Sequence, residues 1–160
     1  MSFNHFDERG QAIMVDVSGK EPTLRTAVAG ATVTMGRETL AAILEQRVAK
    51  GDVLAVARLA GIAAAKKTPD LIPLSHPLAI HHAAVDFDTD PDAGVVTVQA
   101  TVRALERTGV EMEAMTAAAV AALTIYDMCK GRDKGITIGD IHLRYKEGGK
   151  SGIYRREEQR

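Results

Sequence analysis

The sequence predicts an α+β chain: a four-stranded antiparallel sheet with helices packed on one face. Three observations carry that prediction. The hydrophobic period switches from strand-like to helical at Gly36, two alternating segments bracket a turn-rich run at 88–94, and a long alanine-rich apolar stretch follows them.

The elements follow in order. Residues 1–21 are polar and broken by Gly10 and Gly19, with one apolar patch at 13–17, and read as a loosely held arm. Residues 23–35 carry β-branched side chains in imperfect alternation and predict a strand, with Arg25 near its start. From Gly36, Leu40, Ile43, Leu44 and Val48 fall at helical spacing until Lys50-Gly51 stops the run. Asp52 caps a second helix over 53–67, with Leu54, Ala57, Leu59, Ile62 and Ala63 as its apolar positions and Arg58, Lys66 and Lys67 outward. Thr68-Pro69-Asp70 breaks it. The apolar run 71–78 contains Pro73 and Pro77, which a central strand would not tolerate, so it reads as an ordered, largely buried loop.

Residues 79–88 and 95–106 form a hairpin, the second arm alternating through Val96, Val98, Ala100 and Val102. The core helix spans 110–130: from Ala114 to Tyr126 it has no charge, no Gly and no Pro, which predicts cover on nearly every face. A basic turn at 131–139, a last strand at 141–146 and a mobile, Gly-rich tail at 147–160 complete the chain. With the two early helices counted as one crossover, the pattern is β-α-β-β-α-β.

With 160 residues and 46% hydrophobic content, the chain suits one domain, 1–160, with a real core. Lys plus Arg number 20 against 21 Asp plus Glu, so no global field holds nucleic acid. Three Phe, three Tyr and no Trp disfavour a base-stacking RNA module. Cys129 alone excludes an intrachain disulfide and fits a reducing compartment. No apolar signal core is visible and the longest uncharged apolar run is short for a bilayer, so a cytoplasmic protein without membrane contact is expected.

The chemically loaded residues sit at element ends. Asp127 and Lys130 close the apolar run at i, i+3 spacing, which suits either a general acid/base pair or a surface ion pair. Arg25, Lys50, Lys66, Lys67, Lys130, Lys134 and Lys146 suit either a polyphosphate or ordinary solvated surface. His76 reads as an acid/base or phosphate group, or as a core histidine satisfied by backbone. With His81 and His82 it invites a zinc reading, but no fourth ligand stands at a recognisable spacing, and no metal is expected. Gly149-Lys150-Ser151 lacks the glycine a phosphate-binding loop needs at position 144, which is Arg, and the helix that must follow, so it reads as a flexible basic tail able to close over an anion. Glu113 and Asp127, fourteen residues apart, stand on the order of 20 Å apart along one helix. They serve opposite ends of an extended ligand or a site completed by a second subunit, which points to a symmetric oligomer.

Met14-Val-Asp-Val-Ser18, the segment Ala57-Arg-Leu-Ala-Gly-Ile62 through Lys66, Asp70-Leu-Ile-Pro-Leu-Ser-His-Pro-Leu78, Thr108-Gly-Val-Glu-Met-Glu-Ala114, Ala122-Leu-Thr-Ile-Tyr-Asp-Met-Cys-Lys130 and Gly148-Gly-Lys-Ser-Gly152 together resemble the cyclic pyranopterin monophosphate synthase family of molybdenum cofactor biosynthesis. The resemblance implies a ferredoxin-like subunit, a homo-hexamer built as a trimer of dimers, and active sites at subunit interfaces. It implies a lyase that rearranges 3',8-cyclo-7,8-dihydroguanosine triphosphate and closes a cyclic phosphate with loss of pyrophosphate. No redox cofactor is implied, and Mg2+ accompanying the triphosphate stays open.

Carried over by position, Asp127 and Lys130 match the family's acid/base pair, and Lys66 and His76 its other catalytic groups. Leu74, Ser75 and His76, with Met112 and Glu113, match substrate-contacting segments, and Arg25, Lys50 and Lys146 are candidates for the triphosphate. Ser75 stands where the family pattern usually has Cys, and Met115 where it has Leu. A non-catalytic module that binds purine triphosphates is the alternative reading.

Overall fold

In the computed structural model, which describes residues 5–157, the chain runs β1 (Thr23–Thr34), α1 (Arg37–Leu44), α2 (Val53–Ala65), α3 (Thr68–Leu71), β2 (His82–Asp90), β3 (Val95–Glu106), α4 (Glu111–Cys129), β4 (Thr137–Glu147) and β5 (Tyr154–Arg155). The sheet is antiparallel with strand order β2-β3-β1-β4-β5. Its four long strands and the helices on one face fit the expected ferredoxin-like arrangement.

The strands' period of two decides what meets the helices. Ala27, Ala29, Ala31 and Val33 of β1 alternate in register with Val96, Val98, Ala100, Val102 and Ala104 of β3, all buried. Against them α4 buries Ala114, Ala117, Ala118, Ala121, Ala122 and Ile125. Alanine facing alanine lets helix and sheet backbones approach closely, so a core with few aromatics still packs without voids. α4 has the length and hydropathy of a membrane span, and its burial against sheet and α2 gives that composition a core role.

α2 lies beside α4 and runs antiparallel to it. Lys50, just before α2, reaches Asp127 near the end of α4, while Gly61 abuts Ala117 and Ala121. A Cβ on Gly61 would stand 2.9 Å from the Ala117 carbonyl oxygen and 2.9 Å from Val85 Cγ2. The glycine is therefore a spacing element between α2, α4 and the sheet.

Several boundaries differ from the sequence reading. α1 ends at Leu44 rather than running to Lys50: Gln46 adopts a left-handed φ of 52°, and the Arg47 and Gln46 amides donate to the Ala42 and Ile43 carbonyls. Those bonds close the helix as a glycine would, one turn before Lys50-Gly51. The Asp52 cap is as expected, its Oδ1 accepting from the Ala55 amide at 3.0 Å. Leu59 and Ala63, expected inward, are exposed, because Gly61 and Ala57 take the face toward α4. Thr68-Pro69-Asp70 begins a further helical turn, with Thr68 buried and donating to the Ala65 carbonyl.

Residues 71–78 are half-buried or exposed rather than largely buried, Leu71 being 57% exposed. β4 begins at Thr137 and absorbs only the last three residues of the expected basic turn, bulging where Asp140 takes φ 49°. The tail is not wholly loose: Tyr154–Arg155 pairs with Tyr145 and Lys146, and the Arg156 amide donates to Arg144 O. The arm is pinned at Val15, as described below. Residues 1–4 and 158–160, within the stretches expected to be mobile, lie outside the described residues.

Gly61→Ala should lower stability by about 1–3 kcal/mol despite alanine's better helix propensity, because backbone must move to admit the methyl group. Thermal melts check it; an unchanged or raised midpoint would show that the α2–α4 approach has slack.

Candidate active site

The two ends of α4 hold different chemistry. At its N-terminal end, the chain after α3 brings Leu74, Ser75 and His76 against Met112 and Glu113, lining a hollow of about 380 Å3 with Val15, Val17 and Lys20 of the arm. His76 Nε2–H donates to the Val15 carbonyl at 2.7 Å. That bond ties the arm to the loop and leaves Nδ1 as the ring nitrogen available to a ligand.

Glu113 is 2% exposed and its Oε1 has no partner among the described residues. Burial, with the neighbouring Glu111 charge adding to it, raises its pKa from 4.5 to about 7. A carboxyl held partly protonated at neutral pH can donate a hydrogen bond to a ligand heteroatom as well as accept one.

The hollow opens into a larger cleft of about 800 Å3, with Lys20, Thr108, Gly109 and Glu111 shared between the two. The cleft wall carries Arg25 and Lys146, two of the sequence candidates. Lys146 is ion-paired to Glu111 at 2.7 Å. Arg25 turns inward, Nε donating to Glu106 O at 3.1 Å and Nη2 to Arg107 O at 3.2 Å. Lys66 lies just beyond α2, toward this same end of α4, with an exposed side chain.

At the other end, Lys130 Nζ meets Asp127 Oδ1 at 2.6 Å, and Lys50 Nζ stands 3.6 Å from Asp127 Oδ2 while donating to the Asp127 carbonyl at 2.9 Å. The Lys130 hydrogen bond and the charges of Lys130 and Lys50 hold Asp127 below the usual carboxylate range, and Asp127 in turn raises Lys130. Within one chain this is an exposed ion pair beside a cleft of about 410 Å3 bounded by Thr39, Val48 and Met128. Lys50 therefore joins the carboxylate–amine pair and not Arg25 and Lys146, with which the sequence reading grouped it. The α1–α2 connection delivers it there, because α1 closes early.

α4's 19 residues separate the two ends by about 28 Å. One chain assembles two partial sites. The sequence reading missed Lys20 and Arg107, which line the cleft; each follows a strand or turn end and carries no local motif.

A family model described as the MoaC family matches residues 14–149. The chain belongs to the MoaC family. It is 79% identical over 158 residues to a cyclic pyranopterin monophosphate synthase of Geobacter metallireducens, covering 99% of each chain. Proteins of the same name from Geotalea uraniireducens and Rhodospirillum rubrum are 78% and 59% identical, over 100% and 94% of this chain and 100% and 90% of theirs. Both partial sites fall within the span that the MoaC model matches.

Glu113→Gln should change the pH dependence of folding. With the folded pKa above the unfolded one, the neutral carboxyl's contribution is intact below pH 4.5 and is lost as pH rises toward 7. The parent should lose up to about 1.4 kcal/mol per pH unit across that window relative to the variant. Urea midpoints at several pH values measure it; parallel curves would show that Glu113 ionises normally.

Proposed function

We propose that this chain is a lyase of molybdenum cofactor biosynthesis. It converts 3',8-cyclo-7,8-dihydroguanosine 5'-triphosphate to cyclic pyranopterin monophosphate and pyrophosphate. The observation that carries this reading is end-to-end identity of 79% to a relative of that name. The geometry is consistent with it. A hollow with a histidine and a partly protonated carboxyl opens into a wide cleft whose five cations outnumber its three carboxylates, which suits a purine-derived ring bearing a polyphosphate.

The chemistry assigns roles. The rearrangement needs protons taken from and returned to ring heteroatoms, for which His76, Glu113 and the Asp127–Lys130 pair supply acids and bases. Asp127 is a carboxylate and Lys130 an ammonium, so the first accepts and the second donates. In the cyclisation a substrate hydroxyl attacks the α-phosphorus, the bond to the β-phosphate oxygen breaks, and pyrophosphate leaves with its charge matched by cations. Lys66, at the same end of α4 but outside the lining of the hollow, is a further candidate proton donor. Nothing is oxidised or reduced overall, so the reaction calls for no redox cofactor, and Mg2+ would enter as a companion of the triphosphate.

The separation of the two partial sites supports a site shared by two copies. Met112, Leu123, Asp127 and Lys130 fall on one stripe of α4 and are exposed, Met112 38% and Leu123 56%, while Thr116 between them is covered. Two such stripes packed antiparallel about a twofold axis bring the Asp127–Lys130–Lys50 end of one copy to the His76–Glu113 end of the other. Three such pairs make the expected hexamer. The reducing cytoplasm suits Cys129, buried and unpaired.

Incubation with the cyclised nucleotide should release pyrophosphate and form the cyclic monophosphate; tight binding without release would instead support a non-catalytic triphosphate-binding module. Asp127→Ala and His76→Ala should each remove most turnover with the assembly intact. Mixed after co-refolding, they should regain roughly a quarter of the parent rate, since half the pairs then hold one undamaged site. A mixture as inactive as its components would contradict the shared site.

A further inference from the structure

Asp127 is flanked by two ammonium groups that arrive by different routes. Lys130 belongs to the same helical turn: its amide donates to the Tyr126 carbonyl at 2.8 Å and its Nζ meets Asp127 three residues back, so α4 alone places it. Lys50 comes from the connection between α1 and α2, residues 45–52, and stands 2.9 Å from the Asp127 carbonyl oxygen and 3.6 Å from Oδ2. Where its ammonium sits depends on what anchors that connection at each end. The α2 end is anchored by the Asp52 cap and by the close approach of Gly61 to α4.

The α1 end has an anchor of another kind. Gly36 stands at the N-cap of α1 and has no side chain to accept from the helix's first amides. Asp133, in the turn after α4, supplies a carboxylate from outside the helix. Its Oδ2 accepts from the Gly36 amide at 2.9 Å and from the buried Thr39 hydroxyl at 3.2 Å, while Oδ1 accepts from the Gly135 amide at 2.9 Å. The Asp133 amide donates to the Cys129 carbonyl at 3.0 Å, which seats the residue on the last turn of α4. These bonds to its carboxylate, that from Gly36 foremost, hold Asp133 below the usual carboxylate range. One charged side chain therefore joins the start of α1 to the end of the helix that carries Asp127.

α1 is eight residues long and sinks Leu40 and Ile43 into the core. Those apolar contacts are non-directional, whereas hydrogen bonds converging on one carboxylate fix an angle. The nearby Arg132–Glu38 pair, 3.9 Å apart with the Glu38 side chain 92% exposed, adds little. Thr39, Lys50 and Lys130 line the same cleft of about 410 Å3, so the tether and the amines beside Asp127 share one wall. We infer that Asp133 is a positioning residue for the reaction: by clamping α1 to the end of α4 it sets where the connection presents Lys50 to Asp127. Asp133 acts through Lys50 rather than on the substrate. The inference rests on the lyase reading for the part Lys50 plays in turnover, but not for the clamp itself.

A double-mutant cycle on the assembled protein tests it. Asp133→Ala should lower kcat about tenfold or more and change KM by less, and Thr39→Val, which removes one of the carboxylate's three bonds, should lower kcat in the same direction to a smaller extent. In a Lys50→Ala background, Asp133→Ala should cost less than about twofold further, because the group it places is gone. Adding Gly36→Ser to Asp133→Ala restores a cap within α1 but not the link to α4, so the thermal midpoint should recover most of its loss while kcat stays low. An Asp133→Ala loss as large without Lys50 as with it, or turnover that returns together with the midpoint, would overturn the assignment. Hydrogen exchange reads the clamp without substrate. The Arg47 and Gly51 amides, bonded to the Ala42 and Val48 carbonyls, should exchange at least about tenfold faster in Asp133→Ala, and exchange at the parent's rate would overturn the clamp. Faster exchange in a protein whose parent releases no pyrophosphate from the cyclised nucleotide would leave the clamp assigned while removing the lyase reading.

Discussion

The rest of the structure depends on one constraint: the close packing of α4 against the sheet and α2. Its alanines lie against the alanines of β1 and β3, and Gly61 of α2 closes on its other side with no room for a methyl group. A helix held this way is a rigid spacer, because packed interiors resist small displacements. It fixes about 28 Å between the carboxylate–amine pair at one tip and the histidine–glutamate hollow at the other. No loop motion in one chain closes that distance, which is why the proposed site draws on two chains.

The two ends also differ electrostatically in ways that suit separate tasks. At the C-terminal end, two exposed ammonium groups flank one carboxylate, and Asp127 and Lys130 each stabilise the ionised form of the other. At the N-terminal end, burial does the opposite, holding Glu113 toward its neutral form beside a histidine whose orientation is set by the arm. Bringing the first against the second would take the ion pair out of water, where its attraction strengthens and its proton affinities become open to a ligand. The basic cleft beside the hollow then meets the charge of the leaving group.

Much of this was legible in the sequence because it depends on local pattern. The alternation of Val96, Val98, Ala100 and Val102, the Asp52 cap and the uncharged run of α4 each declare an element by composition alone. The early close of α1 was not legible, since Gln46 adopts a conformation normally signalled by glycine. Nor was the ordering of the tail, because Tyr154 and Arg155 form a strand only where the β4 edge is available. The family motifs named Asp127, Lys130, His76 and Glu113, but spacing could not say that Lys50 would join Asp127 or that Arg25 would turn inward to carbonyls. Those are consequences of where unrelated segments meet. Lys20 and Arg107 were missed for the same reason.

The central claim is that the exposed stripe of α4 meets its counterpart antiparallel, so that the tip of one helix completes the other's hollow. Cysteines placed at Met112 and Lys130, with Cys129 changed to Ser, test it through treatment with a short bismaleimide. The helix itself keeps the two positions about 27 Å apart within a chain, so any link must join two chains. The account predicts a covalent dimer in high yield from the double variant at dilute concentration; a product that stays at the monomer's 17.1 kDa would contradict it.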